Sequence, residues 1–225
     1  DSGKRKVQRI GVWLDEQALR PDYVMTSTAM RARVTAEKCL KAMTLGTDDL
    51  VVSPDLYLAT SDRLITLLRT VPDGARRVLV VGHNPGLSEL VSRLDPSHQV
   101  SLKPASLAHL RIDVPWHQID DGCGAMRGLL HASELPQDFP FPGPHGTERR
   151  PRPAYYYTQS AVIPYRRTPS GLQVLVVQSS KKSHWVLPKG IADPGLSLTA
   201  SAEKEALEEA GIEGQVHDTA LGDYE

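Results

Sequence analysis

The sequence lacks any cysteine pattern that would build a structural metal site or a disulfide framework. Its two cysteines, Cys39 and Cys123, lie far apart, and no Cys/His set shows the spacing of a zinc site. We therefore expect both to be reduced thiols of an intracellular protein. Walker-type loops and dinucleotide fingerprints are absent as well, which disfavours those nucleotide-binding classes.

Long apolar runs and an excess of one charge are also missing. No stretch approaches the ~18 apolar residues of a membrane span, and no secretory signal opens the chain, so we expect a cytoplasmic protein without a membrane partner. The 26 Lys and Arg residues nearly balance the 27 Asp and Glu residues. A net charge of −1 argues against a general polyanion binder, and we expect no specific nucleic-acid partner.

What the sequence does contain is an acidic helix near its end. A Gly- and Pro-broken loop at residues 188–195 leads into a helix that stops at Gly211. Because residues three and four apart share a helix face, Glu205, Glu208 and Glu209 present their carboxylates together. Magnesium takes oxygen ligands and would relieve their repulsion. A solvated acidic surface helix is the alternative, because Glu is a good helix former.

The same stretch resembles the Nudix box of the Nudix hydrolases. The positions that match the spacing of the box are Gly190, Glu205, Glu208, Glu209, Gly211 and Ile212. Two positions depart from it, because Leu196 stands where the first Glu belongs and Lys204 stands where the Arg belongs. In the family, that Glu supports the metal site and that Arg orients a neighbouring carboxylate. The resemblance therefore implies retained metal ligands with altered supporting residues.

The Nudix resemblance also implies a cofactor and a reaction. Glu205, Glu208 and Glu209 would hold Mg2+ or Mn2+, with the Gly190 carbonyl as a further ligand and Glu209 as a catalytic residue. Lys189 would contact a substrate phosphate. The substrate would be a nucleoside or other organic diphosphate cut at a P–O–P link, and residues 187–190 resemble members that cleave diadenosine polyphosphates or inositol pyrophosphates. A nucleotide or dinucleoside polyphosphate is thus the expected small-molecule partner.

The first half of the chain alternates helices with short apolar strands. Helices are predicted at residues 4–19, 31–43 and 61–70, and strands at residues 23–25, 50–52 and 78–81. This alternation is the signature of an α/β domain with a mostly parallel sheet, in which ligands bind beyond the carboxyl ends of the strands. Residues 26–33 and 82–86 occupy such positions.

Those two segments resemble the histidine phosphatase superfamily, in particular its bacterial phosphohistidine phosphatase branch. Residues 27–36 resemble the segment that carries a phosphate-binding arginine, at Arg31, although Thr28 replaces the usual proline. Residues 81–87 match the segment of the second active-site histidine, at His83. Both would be catalytic and phosphate-binding, and a phosphohistidine protein would be a further partner. The nucleophilic histidine of that family belongs upstream of the turn with which this sequence begins.

Two domains follow from these resemblances. We expect a histidine phosphatase-like domain without its first strand at residues 1–136, a Pro-rich linker at 137–153, and the first part of a Nudix α/β/α sandwich at 154–225. In the latter, strands at 155–164 and 172–178 are expected to form a hairpin, with a third strand at 185–187. The leading hypothesis is a bifunctional phosphate hydrolase. The alternative is a phosphate-sensing or dimerising pseudo-phosphatase attached to a weakened Nudix site.

Overall fold

The computed structural model describes residues 2–179, 183–217 and 219–223. The chain divides into two compact units, Asp1–Arg152 and Pro153–Glu225, here called unit 1 and unit 2. Within the described ranges, no helix combines the length and the apolar character that a bilayer-spanning segment needs.

Unit 1 contains four α-helices, seven strands and three short 3-10 turns among its described residues. The helices are α1 (Ser2–Glu16), α2 (Met30–Ala42), α3 (Ser61–Leu68) and α4 (Gly86–Leu94). The strands are β1 (Tyr23–Ser27), β2 (Val51–Ser53), β3 (Val78–Val81), β4 (Ser106–Ile112), β5 (Gly124–His131), β6 (Phe139–Gly143) and β7 (Gly146–Arg150). The 3-10 turns lie at Pro54–Leu56, Trp116–Gln118 and Ala132–Glu134.

A parallel sheet lies at the centre of unit 1. Its strand order is β2-β1-β3, and β1 runs parallel to both neighbours. Successive side chains of a strand point to opposite faces. Accordingly, Val24 packs in a cluster with Ile10 and Leu40, whereas Met25 packs in a cluster with Leu64 and Leu90. Helices α1 and α2 therefore cover one face and α3 and α4 cover the other. The predicted α/β class with a parallel sheet is confirmed.

Residues 137–153, predicted as a linker, instead contain an antiparallel hairpin of β6 and β7. Phe139 at the start of β6 is 1% exposed, and the Arg150 guanidinium lies 3.5 Å from the centroid of the Phe141 ring. One buried aromatic and one cation–π contact hold a segment whose alternating prolines indicated an extended linker. The hairpin belongs to unit 1.

Unit 2 consists of short strand pairs and one long helix. Its elements are β8 (Gln159–Ala161), β9 (Tyr165–Thr168), β10 (Gly171–Val174), β11 (Val177–Gln178), β12 (Trp185–Val186), β13 (Lys189–Ile191) and α5 (Leu198–Ala210), after a 3-10 turn at Ala154–Tyr157. The antiparallel pairs are β9 with β10, β11 with β12, and β8 with β13.

The expected hairpin in unit 2 is present, but its first strand differs from the prediction. Strand β9, at Tyr165–Thr168, pairs with β10, whereas the aromatic segment predicted as the first strand forms a 3-10 turn and then β8, which pairs with β13. This pairing brings residues 159–161 beside residues 189–191, at the start of the predicted catalytic loop.

Candidate functional site

The segments that carry Ser27 and His83 meet at the carboxyl edge of the unit 1 sheet. Strand β1 ends at Ser27 and β3 ends at Val81, and Thr26 is in register with Val81. The Thr26 hydroxyl also donates to the Val81 carbonyl at 3.2 Å. Parallel strands end at the same edge, so the residues that follow β1 and β3 are necessarily neighbours.

Arg31 and His83, distant in the sequence, are in contact in the structure. Arg31 lies in the first turn of α2, and its Nη2 is 3.1 Å from His83 Nδ1. The Tyr57 ring meets the His83 ring edge-on, with the centroids 5.4 Å apart. Burial, and then the charge of Arg31, lower the pKa of His83. The neighbouring Arg33 instead forms an ion pair with Glu37 at 3.5 Å, so Arg31 is the arginine beside His83.

An arginine and a histidine at the carboxyl edge of a parallel sheet form a ready site for an anion. The guanidinium offers a planar fork of donors that suits phosphate oxygens. In the structure this fork contacts the imidazole, and both side chains are at least partly exposed to solvent. Sequence reasoning placed both residues but gave no role to Ser27, whose hydroxyl lies 2.7 Å from His83 Nε2.

The predicted acidic helix forms as α5, and the loop before it packs on its acidic face. A Cβ atom on Gly190 would overlap the carboxylate of Glu205, so the absence of a side chain at Gly190 lets this carboxylate lie against the loop backbone. The Lys189 backbone N–H donates to Glu209 Oε2 at 3.0 Å. Glu205 is half-buried, whereas Glu208 and Glu209 are exposed. The structure therefore brings residues 189–190 together with Glu205 and Glu209.

The three carboxylates are close enough to perturb one another. Burial raises the pKa of Glu205, and repulsion from Glu208 and Glu209 raises it further. In residues 2–179, 183–217 and 219–223, however, no three His, Cys, Asp or Glu side chains are already gathered round one point as metal ligands. The three carboxylates repel one another, and a bound cation would offset this repulsion.

Three features of unit 2 fit a hard divalent cation. The donors are carboxylate oxygens, which Mg2+ prefers, and Gly190 leaves a side-chain-free space against Glu205. Ser160 is the register partner of Gly190, so the two share a sheet face. The Ser160 hydroxyl is buried and, among the described residues, has no hydrogen-bond partner. An unsatisfied buried hydroxyl beside a carboxylate group is a suitable neighbour for an ion or its bound water.

The acidic residue of the loop, Asp193, was missed by the sequence reasoning. The Lys204 ammonium pairs with the Asp193 carboxylate and also lies 3.9 Å from Glu208. The hydrogen bond that Lys204 donates to the Asp193 carboxylate is the main reason that the pKa of Lys204 is raised. The Asp193 N–H donates to Ser201 at 3.1 Å, so the loop is held to α5 at two further points.

Comparison with known protein families identifies the domain type of unit 2. The family model described as NUDIX domain matches residues 157–224. Unit 2 is therefore of the Nudix hydrolase type, and this part of the predicted resemblance is confirmed.

Two relatives match a larger share of the chain. They are the uncharacterized proteins MT1313 and Rv1276c of Mycobacterium tuberculosis, from strains CDC 1551 / Oshkosh and ATCC 25618 / H37Rv respectively. Each is 32% identical in an alignment of 138 residues that covers 56% of this chain and 84% of the relative. The chain belongs to the family of these mycobacterial proteins. Because these relatives are uncharacterized, membership of this family assigns no reaction. The reaction has to be inferred from the residues of the two sites.

Solved structures similar to the chain are SixA proteins. The protein histidine phosphatase SixA complexed with tungstate is 22% identical with a TM-score of 0.49, covering 56% of this chain and 80% of that chain. A SixA protein from Nakamurella multipartitia is 24% identical with a TM-score of 0.49, covering 57% and 80% respectively. Because these TM-scores are low, the assignment of a phosphate site in unit 1 rests on the contacts of Arg31 and His83.

Proposed function

We propose that unit 2 catalyses Mg2+-dependent hydrolysis of a P–O–P bond in a nucleotide, a dinucleoside polyphosphate or another organic diphosphate. The observation that carries this proposal is the packing of Gly190 against Glu205 with the Lys189 N–H on Glu209. These contacts set the start of the loop directly over the carboxylate face of α5. The match to the NUDIX domain supports the same reaction class.

Each residue of this site has a proposed role in binding or catalysis. Glu205, Glu208 and Glu209 would hold the cation, with the Gly190 carbonyl as a further ligand. When bound, Mg2+ would neutralise the pyrophosphate and lower the pKa of the attacking water. Glu209 uses Oε2 to accept the Lys189 N–H, and its other oxygen is assigned to the cation or to the proton of the water. The exposed Lys189 side chain would contact a substrate phosphate.

A hydrolysis screen with and without Mg2+ tests this function. Nucleoside triphosphates, dinucleoside polyphosphates and sugar nucleotides would be offered to the chain, and release of phosphorylated products would be measured. We expect Glu209→Gln to lower the rate on any true substrate about 100-fold or more, because it removes a ligand and a proton acceptor. The matched control is Glu203→Gln, an exposed Glu of the same helix, which should leave the rate unchanged. Full activity in Glu209→Gln would reject the assignment.

We propose in addition that unit 1 binds phosphoryl groups through Arg31 and His83, as a phosphomonoesterase or a phosphohistidine phosphatase. The 3.1 Å contact between the two side chains supports this second site, because it fixes the Arg31 guanidinium beside His83, and fixed donors dominate the recognition of transferring phosphoryl groups. A phosphate-sensing or dimerising pseudo-phosphatase remains the alternative. We also propose that the protein acts in the cytoplasm.

Inorganic phosphate is the probe for unit 1. Calorimetric titration should detect binding in the wild type and a loss of at least about tenfold in Arg31→Gln, because a charged hydrogen bond to the anion is removed. Arg33→Gln, which removes the neighbouring guanidinium, should bind as the wild type does. Equal binding by both variants would contradict the role of Arg31. Turnover of a phosphomonoester or a phosphohistidine peptide would separate an enzyme from a sensor.

A further inference from the structure

Ser27 is fully buried at the end of β1 and makes two hydrogen-bond contacts there. Its Oγ lies 2.7 Å from His83 Nε2 and accepts the Ala29 backbone N–H at 3.2 Å. On the other side of the imidazole, Arg31 Nη2 lies 3.1 Å from His83 Nδ1. Both ring nitrogens of His83 are therefore engaged, each by a different residue.

The chemistry of these partners decides where the imidazole proton lies. A guanidinium has five N–H donors and no acceptor, so Nδ1 must accept the hydrogen bond from Arg31. A neutral imidazole carries one proton, which must then reside on Nε2. A serine hydroxyl oxygen can accept as well as donate, and Ser27 Oγ receives the Nε2–H along with the Ala29 N–H.

We infer that Ser27 is a positioning residue that accepts the Nε2–H of His83 and so stabilises the tautomer that the Arg31 contact selects, with the unprotonated Nδ1 presented beside Arg31. This inference deepens the phosphate site proposed above and rests on it for its function. A phosphoryl group bound by Arg31 would then meet the basic nitrogen of His83, and Nδ1 would be the atom that takes up a proton from the ligand.

The surroundings support a fixed imidazole. The backbone on either side of the contact is tied by β-sheet pairing, because β1 and β3 are neighbouring strands, and Ser27 is 0% exposed. The Tyr57 ring stands edge-on to His83 at an interplanar angle of 78°, which limits rotation of the imidazole. Burial favours the neutral form of His83, as does the charge of Arg31.

Nitrogen-15 NMR of the imidazole rings tests the inference on the full chain without any phosphate present. The His83 signals are assigned as those lost in His83→Gln. We expect the Nδ1 signal of the wild type at the position of an unprotonated nitrogen and the Nε2 signal at that of a protonated one. In Ser27→Ala both signals should move toward the averaged positions of a tautomer mixture. Ser27→Thr, which keeps the hydroxyl, should restore the wild-type pattern.

The matched control is Ser97→Ala. Ser97 Oγ lies 3.0 Å from His98 Nδ1, so this variant removes a serine hydroxyl from a different histidine and should leave the His83 signals in place. A proton on Nδ1 of wild-type His83 would overturn the inference, and so would an unchanged tautomer in a folded Ser27→Ala. Should Ser27→Ala fail to fold, the wild-type spectrum decides alone.

Phosphate titration of the same samples separates this inference from the proposed function. We expect Ser27→Ala to bind inorganic phosphate roughly fivefold more weakly, the effect of about one hydrogen bond. The expected tautomer without any phosphate binding would uphold the role of Ser27 and reject the phosphate site. Phosphate binding with the opposite tautomer would uphold the site and reject the role of Ser27.

Discussion

His83 lies in surroundings that favour its neutral form. Burial penalises the charged imidazolium, and the adjacent Arg31 repels it, so the pKa of His83 falls below the ordinary value of 6.5. A basic nitrogen that stays unprotonated at neutral pH is available to accept a proton from a ligand. The same two causes that prepare His83 for this task also make its protonation unfavourable for the fold.

The stability of unit 1 should therefore depend on pH through His83. Because the folded-state pKa is lowered, the unfolded chain binds a proton more readily than the folded one as the pH drops below about 6.5. The free energy of unfolding should thus fall with decreasing pH from that point until the folded-state pKa is passed. Urea denaturation at pH 7.5 and pH 5.5 measures the loss, which should be smaller in His83→Gln. An equal loss in this variant would contradict the lowered pKa.

At the scale of elements, α5 was fully predictable from local chemistry. Its apolar stripe and acidic face repeat at helical spacing, and the Ser197 hydroxyl accepts the Ala200 N–H at 3.1 Å as an N-cap. The helix ends before Gly211, which has a left-handed φ of 62° and lies where glycine most often stops a helix. Such signals reside within a few neighbouring residues, so the sequence displays them directly.

Contacts between distant residues were not predictable in the same way. The β6–β7 hairpin depends on the burial of Phe139 by tertiary packing, which outweighs the local preference of a Pro-rich segment. The Asp193–Lys204 pair depends on the path of a loop. The contact between Ser27 and His83 depends on the register of β1 and β3. Without the family resemblance, the contact between Arg31 and His83 could have been predicted only from the expected parallel sheet.

The close packing of β13 on α5 predicts the effect of a single methyl group. Gly190→Ala would place its Cβ on the Glu205 carboxylate, so the Glu205 side chain must rotate away from the loop. We expect a loss of stability of about 1 kcal/mol or less, because only the end of a flexible side chain moves, and a fall in Mg2+-dependent hydrolysis of up to about 100-fold, because a ligand is displaced. The control is Gly214→Ala, whose Cβ would meet nothing within 4 Å. Wild-type activity in Gly190→Ala would contradict the packing.

Breaking the ion pair between Lys204 and Asp193 should have a small effect on the free energy of unfolding and a larger effect on the hydrolysis rate. Both side chains are partly exposed, so a double-mutant cycle of Asp193→Asn and Lys204→Gln should give a coupling of less than about 1 kcal/mol in the free energy of unfolding. In hydrolysis, each single variant should lower the rate nearly as much as the double variant, if the pair orients the loop and Glu208 together. Independent, additive losses would show that the two residues act separately.

At the scale of the whole molecule, the chain combines two compact units, each with its own proposed site. Unit 1 has its own parallel sheet with helices on both faces, and unit 2 has the NUDIX domain. The sequence indicated two units in this order because each carries a compact motif, at residues 27–36 and 81–87 in one and at 190–212 in the other. The boundary itself was harder to predict, since the segment between the motifs folds as a hairpin of unit 1.

The two phosphate sites proposed for this chain lead to a prediction of coupled reactions. We propose that unit 2 releases a phosphorylated product that the Arg31–His83 site then accepts. Inorganic phosphate formed from a diphosphate substrate should then fall in Glu209→Gln, which blocks the first step, and also in His83→Gln, which blocks the second. The phosphorylated intermediate should accumulate in His83→Gln and not in Glu209→Gln, which distinguishes a block of the second step from a block of the first. Unchanged phosphate release in His83→Gln would show that the sites are independent.

The acidic face of α5 is proposed to bind a divalent cation. The most direct measurement is Mn2+ binding to the full chain by electron paramagnetic resonance, which reports the metal independently of any substrate. The wild type and Glu203→Gln should bind the ion alike, whereas the combined variant Glu205→Gln, Glu208→Gln and Glu209→Gln should lose this binding, because its carboxylate ligands are gone. Undiminished Mn2+ binding by the combined variant would contradict the account.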